Sequence, residues 1–557
     1  MSRPGLLSQN SIPLAGPLTL FLLGGLLGLL ASYDPRLSIP WLLWLGAGVA
    51  LYIVIVLSAC TPHRIVWAAA LPVAVATVGA LLLIALYRHL GYERKFDIIA
   101  RLGAITSWPV PDFWHGFLTA NAAASFLEGS LPLSIGLALA SRGWKRRWLA
   151  ACAVVIGYAV LLTASRGSWV ALAAGAALAG LAIVRVPGRW RRARLWLAGL
   201  GALVCAATSL LLLNGGTVQR ALDSARYRTA DRLALYRNSL FLALDFPFSG
   251  IGAGRTFGMV YSHFQLLILV PFLEYAHNLF LCVWLAQGLL GVLGLCGMIL
   301  ASARLIWRGL DHSGHGATQP IGWGAAIGCV VALLHGLTDA PQYDTCWPAL
   351  LMNFALLGVA IAAARLVDDR ALMWIRLSRG AMLAVGITAL VVLLVVGPAL
   401  LAAASGNVAA IIEAKSYLAP QLGADERMAL HADELRWVER GLRADRDSPA
   451  VLKRSGSLAL EAPDFAAAVA VLEPALRRSP ADQSIRKALG YAYVWSGRID
   501  DGVQLFRGLD RRAEIEQELT TWPVAWQERG RDDLAIRAQL AAEALAQVQQ
   551  RSAHAFR

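Results

Sequence analysis

The chain has 557 residues, 57% of them hydrophobic and only 15% charged, with a mean hydropathy of +0.56. These figures exclude a disordered tail protein and argue against an ordinary soluble enzyme. The net charge of +14 is not a nucleic-acid signature, because residues 404–557 carry 21 Lys+Arg against 22 Asp+Glu. The excess therefore lies in the apolar 1–403, with 29 basic and 14 acidic residues, and basic residues between apolar runs are what membrane topology requires. Only five basic residues are lysine (Lys95, Lys145, Lys415, Lys453, Lys487). GC-rich codon usage accounts for that bias better than phosphate recognition by guanidinium does. The seven cysteines lie in or beside apolar runs without metal-like spacing, so neither a disulfide framework nor a zinc site is expected.

In chain order, apolar runs long enough to cross a bilayer fall at 14–32, 39–59, 65–87, 117–140, 147–164, 167–184, 194–213, 277–304, 321–338, 346–365 and 381–403. They predict an all-α, polytopic membrane bundle of about eleven spans over residues 1–403. Placing the N-terminus inside puts two arginine-rich turns, around 142–147 and 185–194, on the inner side. The C-terminal part then lies outside. Two outer segments, 88–116 and 214–276, are too long to be simple turns. The second carries Arg220, Arg226, Arg228, Arg232, Arg237 and Arg255, against the topological trend. Large outer loops translocate regardless of charge, yet the apolar Phe264–Phe272 stretch suggests folding back onto the bilayer face, as a basic cradle for a lipid-linked diphosphate. Residues 404–423 read as a linker. Residues 424–557 read as a helical domain in which Ser448-Pro449-Ala450 recurs as Ser479-Pro480-Ala481. It resembles tetratricopeptide helix pairs, which stack into superhelices with partner-binding faces; a generic helical cap is the alternative.

Four stretches could carry chemistry. In Thr163-Ala164-Ser165-Arg166-Gly167-Ser168-Trp169 two apolar helices meet with almost no loop, leaving Arg166 as a snorkelling residue or a rigid anion ligand. A helical run from Ala230 through Arg232 to Arg237 leads into the glycine-rich Ser249-Gly250-Ile251-Gly252-Ala253-Gly254, with no P-loop lysine after it. His277-Asn278 opens the eighth span, where an imidazole could accept a proton or serve only as an interfacial residue. His335 and Asp339 stand one helical turn apart, and Glu128 is an intramembrane carboxylate. No HExxH, GxSxG or compact acidic cluster is present, so no metal or other cofactor is expected.

The ordered set Asn121-Ala122-Ala123-Ala124, Leu131-Pro132-Leu133, Ser165-Arg166-Gly167-Ser168-Trp169, the Arg232 run with Pro247–Gly252, and His277–Leu281 resembles the O-antigen ligase and O-antigen polymerase (Wzy-C) superfamily of membrane glycosyltransferases. The similarity covers roughly residues 14–400. It implies a GT-C-like helical fold in a bacterial inner membrane, with the large loop and the 424–557 domain in the periplasm. It also implies an undecaprenyl-diphosphate-linked glycan donor and metal-independent transfer to a glycan, lipid A core or protein acceptor. By the same resemblance Arg166 and Arg232 would bind the diphosphate and His277 would activate the acceptor hydroxyl. Arg228, Arg237, Arg255, Asn278, His335 and Asp339 would support substrate binding. The repeat domain departs from simple ligases and fits a polymerase or a protein O-oligosaccharyltransferase at least as well; an envelope-assembly protein is its expected partner. A polysaccharide transporter or flippase, and a scaffold, are the rival classes.

Overall fold

The computed structural model describes residues 12–90, 96–108, 119–184, 231–269, 273–311, 318–366, 379–510 and 512–555. The predicted span at 194–213 and Arg228 lie outside them. Among the described residues the chain is helical with no strand. The apolar runs have no two-residue alternation, and lone apolar helices satisfy their own backbone. The N-terminal helices are α1 (Ala15–Ala31), α2 (Pro35–Ser58), α3 (Pro62–Ala85) and α4 (Asp97–Thr106). They are followed by α5 (Ala120–Leu127), α6 (Ser130–Ala140), α7 (Gly143–Leu162) and α8 (Arg166–Val184). A helix over 231–245 (α9) precedes α10 (Leu279–Asp311), α11 (Gln319–Gly336), α12 (Trp347–Arg365) and α13 (Arg379–Leu418). The C-terminal helices are α14 (Ala424–Ala444), α15 (Pro449–Glu461), α16 (Phe465–Arg478), α17 (Gln483–Trp495), α18 (Ile499–Arg507), α19 (Arg512–Glu528) and α20 (Asp532–Ala555).

Ten of the eleven predicted spans coincide with these helices, and seven described segments are long and apolar enough to cross a membrane. Two of the predicted boundaries differ. The span at 117–140 is two helices, broken at Glu128-Gly129. The stretch read as a linker, 404–423, is helical through Leu418: it is rich in alanine, holds no proline before that point, and continues α13 through Gly406.

The chain divides into two compact units: residues 1–26, 36–232 and 275–375, and residues 27–35, 233–274 and 376–557. In the first, α11 packs against α6, α8, α10 and α12. Its approach to α6 is a backbone contact between glycines. A Cβ on Gly328 would lie 2.3 Å from the Gly129 carbonyl oxygen, and one on Gly324 would lie 2.6 Å from that of Pro132. Small residues let helices close to this distance, where dispersion replaces the hydrophobic drive that lipid cannot supply. Leu43, Val54, Trp67 and Leu71 keep more than half their surface exposed, as lipid-facing residues do.

In the second unit the C-terminal helices form hairpins, α13 with α14, α15 with α16, α17 with α18 and α19 with α20. The structural repeat is set by Gly456, which packs on Leu472, and Gly490, which packs on Phe506. Both pairs are one ~34-residue tetratricopeptide period apart, so the Ser-Pro-Ala recurrence, three positions short, is not the register. Residues 233–274 belong to this unit. Phe264, expected at the bilayer face, is 1% exposed and lies edge-on to Phe246, 5.0 Å between ring centroids.

The α6–α11 contact predicts that Gly328→Val lowers the thermal unfolding midpoint of the detergent-solubilised protein. Overpacking against backbone costs about 1–3 kcal/mol. Gly46→Val, where nothing lies within 4 Å of the added carbon, should leave the midpoint within experimental error.

Candidate active site

Within the first unit the C-terminal end of α11 collects the polar residues. Its last turn closes with the Thr338 and Asp339 amides both bonding the His335 carbonyl, at 2.9 Å each. The carbonyls of Leu337 and Thr338, just past this end, take side-chain donors. Asn278 donates to the first at 3.0 Å, while its side-chain oxygen caps α10 by accepting from the amides of Phe280 and Leu281. Arg232 donates to the second at 2.6 Å.

Asp339 is the hub. Its Oδ1 accepts from Tyr275 Oη at 2.8 Å, from His277 Nδ1 at 2.9 Å and from the Ala340 amide at 2.9 Å. Its Oδ2 accepts from Asn121 Nδ2, and the Arg232 guanidinium lies 3.8 Å away. Burial alone would push this carboxyl up. The His277 hydrogen bond and charge, the Tyr275 hydrogen bond and the Arg232 charge outweigh burial and hold it at about 2. The opposite holds for Tyr275, whose phenol is pushed up by burial and by the adjacent Asp339 charge and remains a donor.

An ionised Asp339 fixes the histidine. A carboxylate only accepts, so Nδ1 must carry the hydrogen, and in the neutral imidazole Nε2 is then the nitrogen that accepts a proton. His277 sits at φ 52°, in the left-handed region, with its ring 4.3 Å from that of Tyr275. Non-glycine residues hold that conformation only where surrounding contacts over-determine it.

The α7–α8 turn reaches the same hub. Ala164 adopts φ 52° there, which turns Ser165 so that its Oγ donates to Asn121 Oδ1 at 2.8 Å. Asn121 thus joins Ser165 to Asp339. Arg166 follows in the first turn of α8 and is exposed.

Beneath this layer lies a second His–carboxylate pair. Glu128 Oε1 and His335 Nδ1 are 2.9 Å apart, at 0% and 1% side-chain exposure. The break between α5 and α6 brings Glu128 to α11, and Gly167 leaves room for the ring. A Cβ at Gly167 would lie 2.9 Å from His335 Cδ2 and 2.7 Å from Thr338 Oγ1.

Of the residues singled out from the sequence, His277, Asn278, Asp339 and Arg232 converge, and Arg166 follows directly on the Ser165 bridge. His335 is in the cluster but fully buried, so its contact is Glu128. Arg237 and Arg255 belong to the second unit, where Arg237 pairs with Asp510 and Arg255 is exposed. The glycine run is a turn built on left-handed Gly250, Gly252 and Gly254. Tyr275 and the bridging role of Asn121 were missed. A tyrosine two residues before the histidine was the available signal for the first; Asn121 heads the first stretch of the family resemblance, but its alanine-rich context gave no sign of what it contacts. Among the described residues no three His, Cys, Asp or Glu side chains converge as metal ligands.

This site defines a polytopic membrane protein with a His–Asp pair, flanked by arginine, at the end of a helical span. Residues 151–296, which include Arg166, Arg232 and His277, match the family model described as O-Antigen ligase (Wzy_C), and residues 459–514 match a tetratricopeptide repeat model. The chain is thus similar to membrane glycosyltransferases of the O-antigen ligase and polymerase type, with a C-terminal tetratricopeptide-like domain. No curated protein matches it.

Two predictions follow from the geometry. Removing one partner of a buried hydrogen bond leaves the other unsatisfied at a cost of about 1–3 kcal/mol, so Glu128→Ala, which strips His335 Nδ1 of its contact, should lower the unfolding midpoint in detergent. Because the Asp339 carboxyl is depressed from 3.8 to about 2, its contribution of about 2 kcal/mol is present above pH ~4 and is lost as pH falls toward 2. Stability measured from pH 8 down to 2.5 should therefore show an acid limb below pH ~4 that Asp339→Asn flattens.

Proposed function

We propose that this protein transfers or polymerises a glycan carried on undecaprenyl diphosphate, onto an acceptor hydroxyl, at the outer face of a bacterial inner membrane. The observation that carries the reading is the Asp339–His277 pair with Arg232 held beside it. His277 Nε2 accepts the proton of the acceptor hydroxyl as its oxygen bonds to the anomeric carbon. The bond from that carbon to the diphosphate breaks, and the polyprenyl diphosphate leaves with the electron pair. Since the leaving group is already good, the protein's task is to orient the hydroxyl and neutralise developing charge.

Arg232 suits that task. One of its nitrogens is committed to the Thr338 carbonyl and its side chain is 40% exposed, so it is anchored while still presenting donors to a phosphate. Arg166, at the exposed start of α8, supplies a second guanidinium, with the helix N-terminus adding favourable potential for an anion. An apolar cavity of about 430 Å³ supports a lipid-borne donor. Its walls include Val283, Ile299, Leu333 and Phe354, and it reaches Leu279, next to Asn278.

We put the N-terminus on the cytoplasmic side and the repeat domain in the periplasm, since that orientation makes the arginine-rich stretches 142–147 and 185–194 cytoplasmic, as the positive-inside rule favours. The acceptor is a growing glycan, lipid A core or protein. In proteoliposomes supplied with a lipid-linked repeat unit, His277→Ala should cut transfer by about 10²–10⁴-fold while the protein still inserts. Arg232→Ala should cut it by about 10²–10³-fold. Near-normal transfer by His277→Ala would overturn the assignment of the base.

A further inference from the structure

In the second unit, α15 and α17 are the first helices of successive repeats, in the register set by Gly456 and Gly490. Lys453 and Lys487 occupy equivalent positions on them, one ~34-residue period apart. They are two of only five lysines in a chain that otherwise uses arginine, and both are buried, at 3% and 6% exposure. Stacked helix pairs of this kind normally present a continuous face to a partner. Here both ammonium groups end on the chain's own segment 245–267. Lys453 Nζ lies 2.7 Å from Asp245 Oδ2 and 3.5 Å from Asp482. Lys487 Nζ donates to the Leu266 carbonyl and lies 2.6 Å from Glu518.

The intervening groups follow the same segment. Arg454 is 3.9 Å from Asp245, pairs with Glu413 and lies over the Phe264 ring at 4.3 Å. His263 meets Glu413 at 2.9 Å, and Gln265 donates to Asp245 at 3.4 Å. Asn407 on α13 accepts from the amides of Phe248 and Ser249, at 3.0 and 3.3 Å. Leu267 packs on the cluster of Leu452, Leu472 and Leu489. A compact ammonium with three donors can enter such a site end-on, whereas a planar guanidinium needs a wider slot. Two dry ammonium groups on a repeat face require counter-charge and acceptors, and segment 245–267 supplies both a carboxylate and a carbonyl.

We propose that the recognition face of the repeat domain is occupied in cis: its ligand is segment 245–267 of the same chain, and the repeats serve to fold and hold that segment. A separate protein partner, if one binds, uses another surface. Hydrogen exchange of the full-length protein in detergent tests this without reference to the glycan reaction. In Lys453→Met/Lys487→Met, and separately in the loop-side variant Asp245→Asn, amides of 245–267 should exchange tenfold faster or more. Those of Phe465–Arg478 and Ile499–Arg507 should stay within twofold of the parent. Unchanged exchange of 245–267 in either variant would overturn the proposal. So would loosening of the whole repeat domain by Asp245→Asn, since that would make the charges a support of the repeats rather than a clasp on the segment.

Discussion

A carboxylate at 2% exposure keeps its charge only when its lone pairs are filled and a cation stands near, and Asp339 meets both conditions with five groups from four stretches of chain. Tyr275, His277, Asn121 and the Ala340 amide fill the oxygens, and Arg232 supplies the charge. Each of these groups is oriented as a consequence. The histidine tautomer, the left-handed backbone at His277, and the Asn121–Ser165 bridge to the α7–α8 turn all follow from satisfying one buried negative charge. Removing it would leave several buried donors without an acceptor, which costs more than the loss of any one bond suggests.

The same constraint explains the scaffold beneath. Asp339 sits where α11 ends, so the end of α11 must be fixed. The glycine contacts of Gly324 and Gly328 with α6 fix its body, and the Glu128–His335 pair fixes its last turn. A carboxylate and an imidazole inside an apolar bundle are expensive unless paired, and the break between α5 and α6 is the device that lets them meet. In the second unit the equivalent organising charges are Lys453, Arg454 and Lys487, which gather segment 245–267 onto the repeats.

Much of this was legible from the sequence, for identifiable reasons. The spans follow from runs of apolar residues, and ten reappear as helices because a long apolar run without two-residue alternation satisfies its backbone in lipid by coiling on itself. His277, Asn278 and Arg166 stood out as polar residues at span ends, and Arg232 as one of the arginines of an outer segment that run against the topological trend. What could not be read was convergence. Asp339 looked like one half of a pair with His335 because they are one helical turn apart, whereas the structure gives each a different partner from a distant stretch. The setting of Phe264 and Leu266 was misread because Phe264–Phe272 is apolar enough for a bilayer face; the alternative, burial against the repeat helices, depends on partners more than 140 positions away. The 34-residue register was hidden by a more conspicuous Ser-Pro-Ala recurrence, although Gly456, Gly490 and the two lysines carried it.

The central claim is that an ionised Asp339 sets the protonation geometry of His277. The ¹⁵N chemical shifts of the His277 ring, measured on selectively labelled full-length protein near pH 8, test it directly. The account predicts the Nδ1-protonated tautomer in the parent protein and its loss in Asp339→Asn. An Nε2-protonated ring in the parent, or identical shifts in both proteins, would contradict it.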